Sequence, residues 1–95
     1  MSNLQKEHDL VFEQLKQFIF EIIGADIAEE LSITRDSILT RDLEMDSIEI
    51  VSFAEKVKTE YSDVDFMSWL TSLELDKLIN LSLNDISSFI LKSNA

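Results

Sequence analysis

The chain has 95 residues, the size of one domain, and its 19 acidic and 8 basic side chains give a net charge of −11. This charge repels phosphate backbones and anionic membranes, so we expect that the protein does not bind nucleic acid. We expect its protein partners to have basic surfaces. The absence of cysteine excludes disulfides and thiolate metal sites.

Composition also favours helices, because the chain contains 45% hydrophobic residues, no proline and one glycine. No apolar stretch approaches the ~20 residues needed to span a bilayer, and the N-terminus lacks a basic segment followed by an apolar run. We therefore expect a monomeric, cytoplasmic, all-α protein with a single domain over residues 1–95.

The first predicted helix covers about 20 residues. Its apolar residues recur on one face, at Leu4, Val11, Phe12, Leu15, Phe18, Ile19, Ile22 and Ile23. Gly24, the only glycine, stands where a left-handed residue would end the helix. His8 lies on or beside this face without other ligands at suitable spacing, so we assign it no role.

The helical period is lost from Ala25 to Asp46, which predicts a long ordered loop, with or without a helical turn over residues 26–31. Spaced apolar residues would anchor it, at Ile27, Leu31, Ile33, Leu39 and Leu43. Loops of this length are uncommon in compact domains and are often functional.

Carboxylates in this loop raise the question of a metal site. Asp42, Glu44 and Asp46 have the spacing of the first three ligands of an EF-hand loop. Ser47 and Phe53, however, stand where that loop needs glycine and a bidentate glutamate. We therefore predict no dedicated metal site.

The helical period returns at Ser47 and predicts a second helix to about Tyr61, begun by a serine whose hydroxyl can cap the first turn. Its apolar face comprises Ile50, Phe53, Ala54, Val57 and Tyr61. Ile48 and Val51 fall off this face, so we expect them to be exposed. Exposed apolar residues beside acids are typical of a protein-binding face, and ordinary surface residues are the alternative.

A third helix is predicted over residues 64–73, capped by Ser62 and Asp63. Its apolar face comprises Phe66, Trp69, Leu70 and Leu73, which we interpret as core. Residues 74–81 allow a further helical turn.

A closing helix follows Ser82, which has capping-box spacing to Asp85. Its apolar face comprises Leu83, Ile86, Phe89 and Ile90. The predicted core joins the helices through Leu15, Phe18, Ile22, Phe53, Val57, Phe89 and Ile90.

The sequence around Ser47 resembles the acyl and peptidyl carrier protein family. Residues 33–43 read ITRDSILTRDL, residues 44–50 read EMDSIEI, and residues 82–90 read SLNDISSFI. The family pattern is I-T-x-D-T-x-L, then D-L-G-x-D-S-L before an amphipathic helix, with a last helix of the form T-V-x-D-L-x-x-F-I. The resemblance covers residues 33–90 and is strongest over residues 33–57.

The resemblance implies a small four-helix bundle with a long first loop and an extended region between the second and last helices. It implies that Ser47 carries 4′-phosphopantetheine, and that its neighbour Asp46 helps to place the Mg²⁺ of the modifying enzyme. The chain would then be a carrier of acyl or aminoacyl thioesters and not itself an enzyme.

Its partners would be a phosphopantetheinyl transferase and enzymes that load, condense or transfer the cargo. The residues expected to meet them are Ile48, Glu49, Val51, Ser52 and Glu55.

The chain departs from the family pattern. Glu44 replaces the family glycine, so the loop must turn there without glycine's access to positive φ. Residues 63–81 are longer than in common fatty-acid carriers, which argues against a housekeeping carrier and indicates a specialised biosynthetic pathway. Ser52, Lys56 and Lys58 interrupt the usual acidic stripe, which favours dedicated partners. The alternative is that Lys56 pairs with Glu60 and Lys58 with Glu55, so that the surface there is near neutral.

Two other functions remain open. A serine hydrolase is disfavoured, because no G-x-S-x-G elbow surrounds Ser47. An acidic helical interaction module that is never modified is the alternative to the carrier. The cargo stays undetermined among fatty acyl, polyketide, amino-acid and D-alanyl groups.

Overall fold

The computed structural model describes residues 3–93, within which the chain forms six helices and no strand. They are α1 (Asn3–Ile23), α2 (Ala25–Glu30), α3 (Ser47–Glu60), α4 (Phe66–Ser72), α5 (Leu75–Ile79) and α6 (Leu83–Ser93). The all-α prediction is confirmed. The radius of gyration, 12.7 Å, is close to the value of about 12 Å expected for a folded chain of this length.

The end of α1 lies where the sequence places it. Gly24 has φ 94°, and its N–H donates to the carbonyl of Phe20 over 2.9 Å, so glycine closes the helix in a conformation that other residues adopt at a cost. The helical turn allowed after it is present as α2. The side chain of Leu4 lies outside the described part of the chain.

The core lies between α1, α3 and α6, the three longest described helices. Its fully buried side chains include Leu15, Ile19, Phe53, Val57, Leu83, Ile86 and Ile90. Burying each side chain of this size contributes about 1.5–3 kcal/mol, so this interface supplies much of the stability. The predicted core is confirmed, with Ile22 and Phe89 half-buried at its edge.

Five rings form a continuous aromatic cluster, made up of Phe18, Phe53, Phe66, Trp69 and Phe89. Phe53 contacts Phe18 and Phe66 edge-on, with ring centres 6.4 and 6.2 Å away. Trp69 stacks on Phe89 at 4.2 Å. The cluster fixes α4 against α3 and α6, because ring pairs contribute about 0.5–1.5 kcal/mol beyond their buried area.

Residues 31–46, called here the site loop, are ordered although they contain no helix. The loop is joined to the start of α6 by three backbone bonds: Leu39 N–H to Leu81 O, Leu83 N–H to Ser37 O and Asn84 N–H to Arg35 O, over 3.2, 3.1 and 2.9 Å. The predicted ordered loop is confirmed, and its long-range bonds explain why it is ordered.

Arg35 fastens the site loop to α1 as well. Its guanidinium pairs with Asp9 and lies 5.2 Å from the centre of the Phe12 ring. A cation over an aromatic face is stabilised by the negative charge of that face. The loop therefore touches both α1 and α6, and it cannot shift without breaking contacts at two places.

The predicted start of the third helix is wrong. Asp65, not Ser62 or Asp63, is the N-cap, because its carboxylate accepts the Ser68 N–H over 3.3 Å. The two earlier residues lie in a turn that buries Val64 before the helix begins at Phe66. Val64, which was expected to be the first residue of the helix, is instead buried in the turn that precedes it.

The remaining helix predictions are confirmed. The further turn between residues 74 and 81 is α5. Ser82 and Asp85 form the predicted capping box of α6: the Asp85 N–H donates to Ser82 Oγ over 3.1 Å, and the Ser82 N–H donates to Asp85 over 3.2 Å.

Candidate functional site

Ser47 is the first residue of α3, and its side chain is exposed. Asp46 precedes it as the N-cap, with extended backbone at φ −85° and ψ 179°. The Glu49 N–H donates to Asp46 Oδ1 over 2.8 Å, and the Asp46 N–H donates to Glu49 Oε1 over 3.1 Å. This reciprocal pair is a capping box, which fixes the backbone on both sides of Ser47.

The capping box corrects one expectation. The Ser47 hydroxyl was expected to cap the helix, but the Asp46 carboxylate already satisfies the first-turn N–H. Within residues 3–93 the Ser47 hydroxyl makes no hydrogen bond. The capping box therefore fixes the backbone of Ser47, while its hydroxyl stays exposed and is not used as the cap.

The chain immediately before Ser47 is anchored by two buried side chains. Leu43 and Met45 are 2% and 4% exposed, and the Met45 N–H donates to Leu39 O over 3.0 Å. Glu44 between them points outward with φ 50°. This left-handed conformation is the one that the family glycine would adopt readily, and a glutamate occupies it at some cost.

The residues expected to bind partners lie along the outer face of α3. Ile48 is 76% exposed and Val51 49% exposed, so their predicted exposure is confirmed. Glu55 is also exposed, and Glu49 and Ser52 are half-buried. The role of these five residues in binding stays a prediction.

The site carries a concentrated negative charge. Residues 42–49 contain Asp42, Glu44, Asp46 and Glu49 and no basic residue. Asp46 and Glu49 lie at the positive end of the α3 dipole, which favours carboxylates. In the part of the chain that the structure describes, no group of three or more histidine, cysteine, aspartate or glutamate side chains is placed to hold a metal ion.

Lys56 pairs differently from the alternative considered above. Its Nζ contacts Glu21 Oε1 on α1 over 3.0 Å instead of pairing with Glu60. The hydrogen bond from Lys56, with another from Gln17, lowers the pKa of Glu21. Lys58 makes no ion pair within residues 3–93, so its exposed charge does interrupt the acidic surface of α3.

Three concave regions lie near the helices of the site. One of about 470 Å³ lies between α1 and α3 and is lined by Phe18, Ser52, Glu55, Lys56, Thr59 and Glu60. A cavity of about 250 Å³ beside the start of α3 is lined by Ile23, Ile27, Leu31, Leu43, Glu44 and Glu49. An open groove of about 650 Å³ lies between the α4–α5 segment and α6, where Trp69 and Phe89 form its aromatic wall. Ser47 lines none of these three regions.

Two features of the site had no clear signal in the sequence. Thr40 donates its hydroxyl to the carbonyl of Ile79 over 2.8 Å, which joins the site loop to the end of α5. Leu75 and Ile79 are exposed on α5. The regular spacing of Leu75 and Ile79 was visible, but such spacing does not distinguish an exposed helix face from a buried one.

No family model, curated protein or solved structure matches the chain. Every helix between residues 3 and 93 is too short or too polar to cross a lipid bilayer.

Proposed function

We propose that this chain is an acyl or aminoacyl carrier protein in which Ser47 is the attachment point of 4′-phosphopantetheine. The observation that carries the proposal is the state of Ser47: its hydroxyl is exposed, has no hydrogen bond within residues 3–93, and stands on a helix start fixed by the Asp46–Glu49 capping box. An ordinary helix-start serine would use its hydroxyl as the cap.

The fold supports the same proposal. α1, α3, α5 and α6 would be the four helices of a carrier-type bundle, and the site loop would be its long first loop. α2 and α4 would then be additions to that plan. α4 accounts for the extra length between the second and last helices of the family pattern.

Attachment requires little chemistry from the chain. The Ser47 oxygen attacks a phosphorus of the coenzyme A pyrophosphate, a new oxygen–phosphorus bond forms, and 3′,5′-adenosine bisphosphate leaves. The hydroxyl proton passes to a base or water in the transferase. Ser47 therefore needs only access and a reproducible position. When attached, the group supplies the thiol that this cysteine-free chain lacks, and the cargo is held there as a thioester.

The acidic residues around Ser47 would serve recognition. Asp46 and Glu49 have their carboxylates committed to the capping box, so their primary role is to position the serine. By resemblance, Asp46 also helps to place the transferase Mg²⁺. Exposed Lys58, together with half-buried Ser52, breaks the acidic surface of α3, which supports dedicated partner enzymes in a specialised pathway.

A serine hydrolase receives no support from the neighbourhood of Ser47. A hydrolase needs a base within hydrogen-bond reach of its nucleophile, and the Ser47 hydroxyl has no hydrogen-bond partner in residues 3–93. The alternative of an unmodified interaction module would use the same exposed Ile48 and Val51. Only the fate of the serine separates that alternative from the carrier.

The test is incubation of the protein with coenzyme A, Mg²⁺ and a broad-specificity phosphopantetheinyl transferase, followed by intact-protein mass measurement. We expect the mass of one phosphopantetheine to be added to the wild type and to Ser52→Ala, a nearby serine on α3, and none to Ser47→Ala. Because Asp46 is the cap, Ser47→Ala should change the free energy of unfolding by no more than about 0.5 kcal/mol.

Addition of the group to folded Ser47→Ala would reject the assigned residue. No addition to the folded wild type would leave the interaction module as the better explanation.

A further inference from the structure

The open groove between the α4–α5 segment and α6 has a rigid aromatic wall. Trp69 and Phe89 are half-buried, and their rings stack at an angle of 9° with their centres 4.2 Å apart. Both rings also contact the fully buried ring of Phe66, with centres 5.8 and 6.3 Å away. The wall is therefore formed before any ligand arrives, and a ligand that binds to it has few protein side chains to order.

The groove has the size of a small-molecule site. Its volume of about 650 Å³ lies within the range of ~300–1,000 Å³ that is usual for ligand pockets. Leu73 and Leu81 add apolar surface beside the aromatic wall. The proposed function does not account for this groove, because α4, which supplies Trp69, is an addition to the four helices of the carrier plan.

The charged side chains of the groove leave an excess of uncommitted positive charge. Four of them line it: Asp76, Lys77, Asp85 and Lys92. Asp85 is committed to the capping box of α6, where its carboxylate accepts the Ser82 N–H and faces the positive end of the helix dipole. In the described part of the chain, neither lysine makes a side-chain hydrogen bond or an ion pair. Two uncommitted cations therefore stand against one uncommitted carboxylate.

Lys92 is placed to meet an acid whose ring lies against the aromatic wall. Phe89 and Lys92 are three residues apart on α6 and are therefore neighbours on one face of the helix. Asp85 lies on the other side of Phe89, about 10 Å along the helix from Lys92. Lys77 reaches the groove from α5. An anionic group attached to the ring can thus contact the lysines while it stays away from Asp85.

We propose that this groove binds a small aromatic carboxylate, whose ring packs against Trp69 and Phe89 and whose carboxylate pairs with Lys92 and Lys77. The ring supplies the apolar contact, and the charge pair sets the orientation. The rest of the surface disfavours such an acid, because the chain carries a net charge of −11. This inference goes beyond the proposed function and needs no group on Ser47.

The test uses the fluorescence of Trp69, the only tryptophan of the chain. The unmodified protein is titrated with phenylpropionate at low salt. We expect a saturable change of Trp69 emission with a Kd on the order of 1 mM, and a higher Kd when the ionic strength is raised. Cyclohexylpropionate, which lacks the aromatic ring, should bind about threefold more weakly. Phenylpropylamine, which reverses the charge, should bind at least about fivefold more weakly.

Three variants locate the site, and calorimetry measures the Kd of phenylpropionate for each. Lys77→Gln/Lys92→Gln removes both cations and should raise the Kd about fivefold. Phe89→Leu removes one ring of the wall but keeps an apolar side chain, and it should raise the Kd by about the same factor. Lys58→Gln is the matched control, because Lys58 is an exposed lysine on α3 outside the groove, and this variant should match the wild type.

Three results would overturn the proposal. Absence of saturable binding to the wild type would show that the groove is not a ligand site for aromatic acids. Tighter binding of phenylpropylamine would show that Asp76 and Asp85 govern the groove and that its ligands are cations. An equal loss in Lys58→Gln would show that binding follows overall charge.

The exposed lysine pair carries the test if Phe89→Leu does not fold. None of these measurements uses coenzyme A. A negative result therefore rejects the groove as a site and leaves the carrier proposal standing, and a chain that is never modified on Ser47 can still bind the acid.

Discussion

The aromatic cluster and the site loop are held in place by different forces. The cluster consists of rings whose contacts depend on buried area and on fairly permissive ring geometry. The site loop instead relies on directed bonds: Ser37 Oγ accepts the Thr34 N–H over 2.9 Å, and Asp42 Oδ2 accepts the Ile38 N–H over 2.9 Å. Buried apolar side chains such as Leu39 also anchor the site loop to the core.

The difference indicates a division of labour. Apolar burial supplies most of the free energy of folding, but it tolerates small shifts of the backbone. Hydrogen bonds contribute only about 0.5–1.5 kcal/mol each, yet they fix directions. Stability should therefore depend mainly on the cluster, whereas the presentation of Ser47 should depend on the loop and its capping box.

The largest effect is expected at Phe53, the ring at the centre of the cluster, which is fully buried. Phe53→Ala should lower the free energy of unfolding by about 3–5 kcal/mol, a large part of the ~5–15 kcal/mol of a small domain. Urea denaturation measures this change. Ile48→Ala, an exposed site on the same helix, should stay within about 0.5 kcal/mol of the wild type.

A near-unchanged midpoint for Phe53→Ala would mean that the cluster does not dominate stability, and the division between the two regions would then fail.

A smaller effect is expected at Asp46, where the loop and α3 meet. Asp46→Ala removes the cap and should cost about 0.5–2 kcal/mol. Asp46→Asn keeps a capping oxygen and should nearly retain the stability of the wild type. Thermal melting of the two variants separates the capping role from the negative charge. Equal losses in both variants would show that charge, and not the hydrogen bond to Glu49, holds the helix start.

The smallest change from the wild type is expected for Glu44→Gly, because the φ of Glu44, 50°, is left-handed. Glu44→Gly relieves this strain but frees the unfolded chain, so it should raise stability by at most about 1 kcal/mol. Glu44→Val places a β-branched residue there and should lower stability by about 1–3 kcal/mol relative to Glu44→Gly. Denaturation curves for the pair test this. A valine variant as stable as the glycine variant would show that the loop relaxes freely at this position.

The helices were predictable from the sequence where apolar spacing and caps agreed. α1, α3 and α6 each combine a continuous apolar face with a clear boundary, such as Gly24 after α1 or the Ser82–Asp85 box before α6. At the start of α4 the two signals conflicted, because Val64 is buried before the helix begins. Tertiary packing there overrode the nearest capping residues.

The candidate site was predictable as a position but not as a set of contacts. Ser47, its exposure and the exposure of Ile48 follow from local sequence. Aspartate and serine are both good N-cap residues, so the local sequence does not tell whether Asp46 or Ser47 takes the extended backbone of the cap. The bond from Lys56 to Glu21 and the bond from Thr40 to Ile79 join residues far apart in the chain, so no local pattern indicates them.

The pairing of the site loop with the start of α6 has a consequence for the order of folding. Leu39 meets Leu81, and Arg35 meets Asn84, across more than forty intervening residues. Contacts at such separation form late, because the loop must be closed before the bonds can repay the lost entropy. On the ribosome, the loop before Ser47 therefore cannot reach its final shape until residues 81–84 have emerged. Under the proposed function, a nascent chain would be a poor substrate for modification of Ser47.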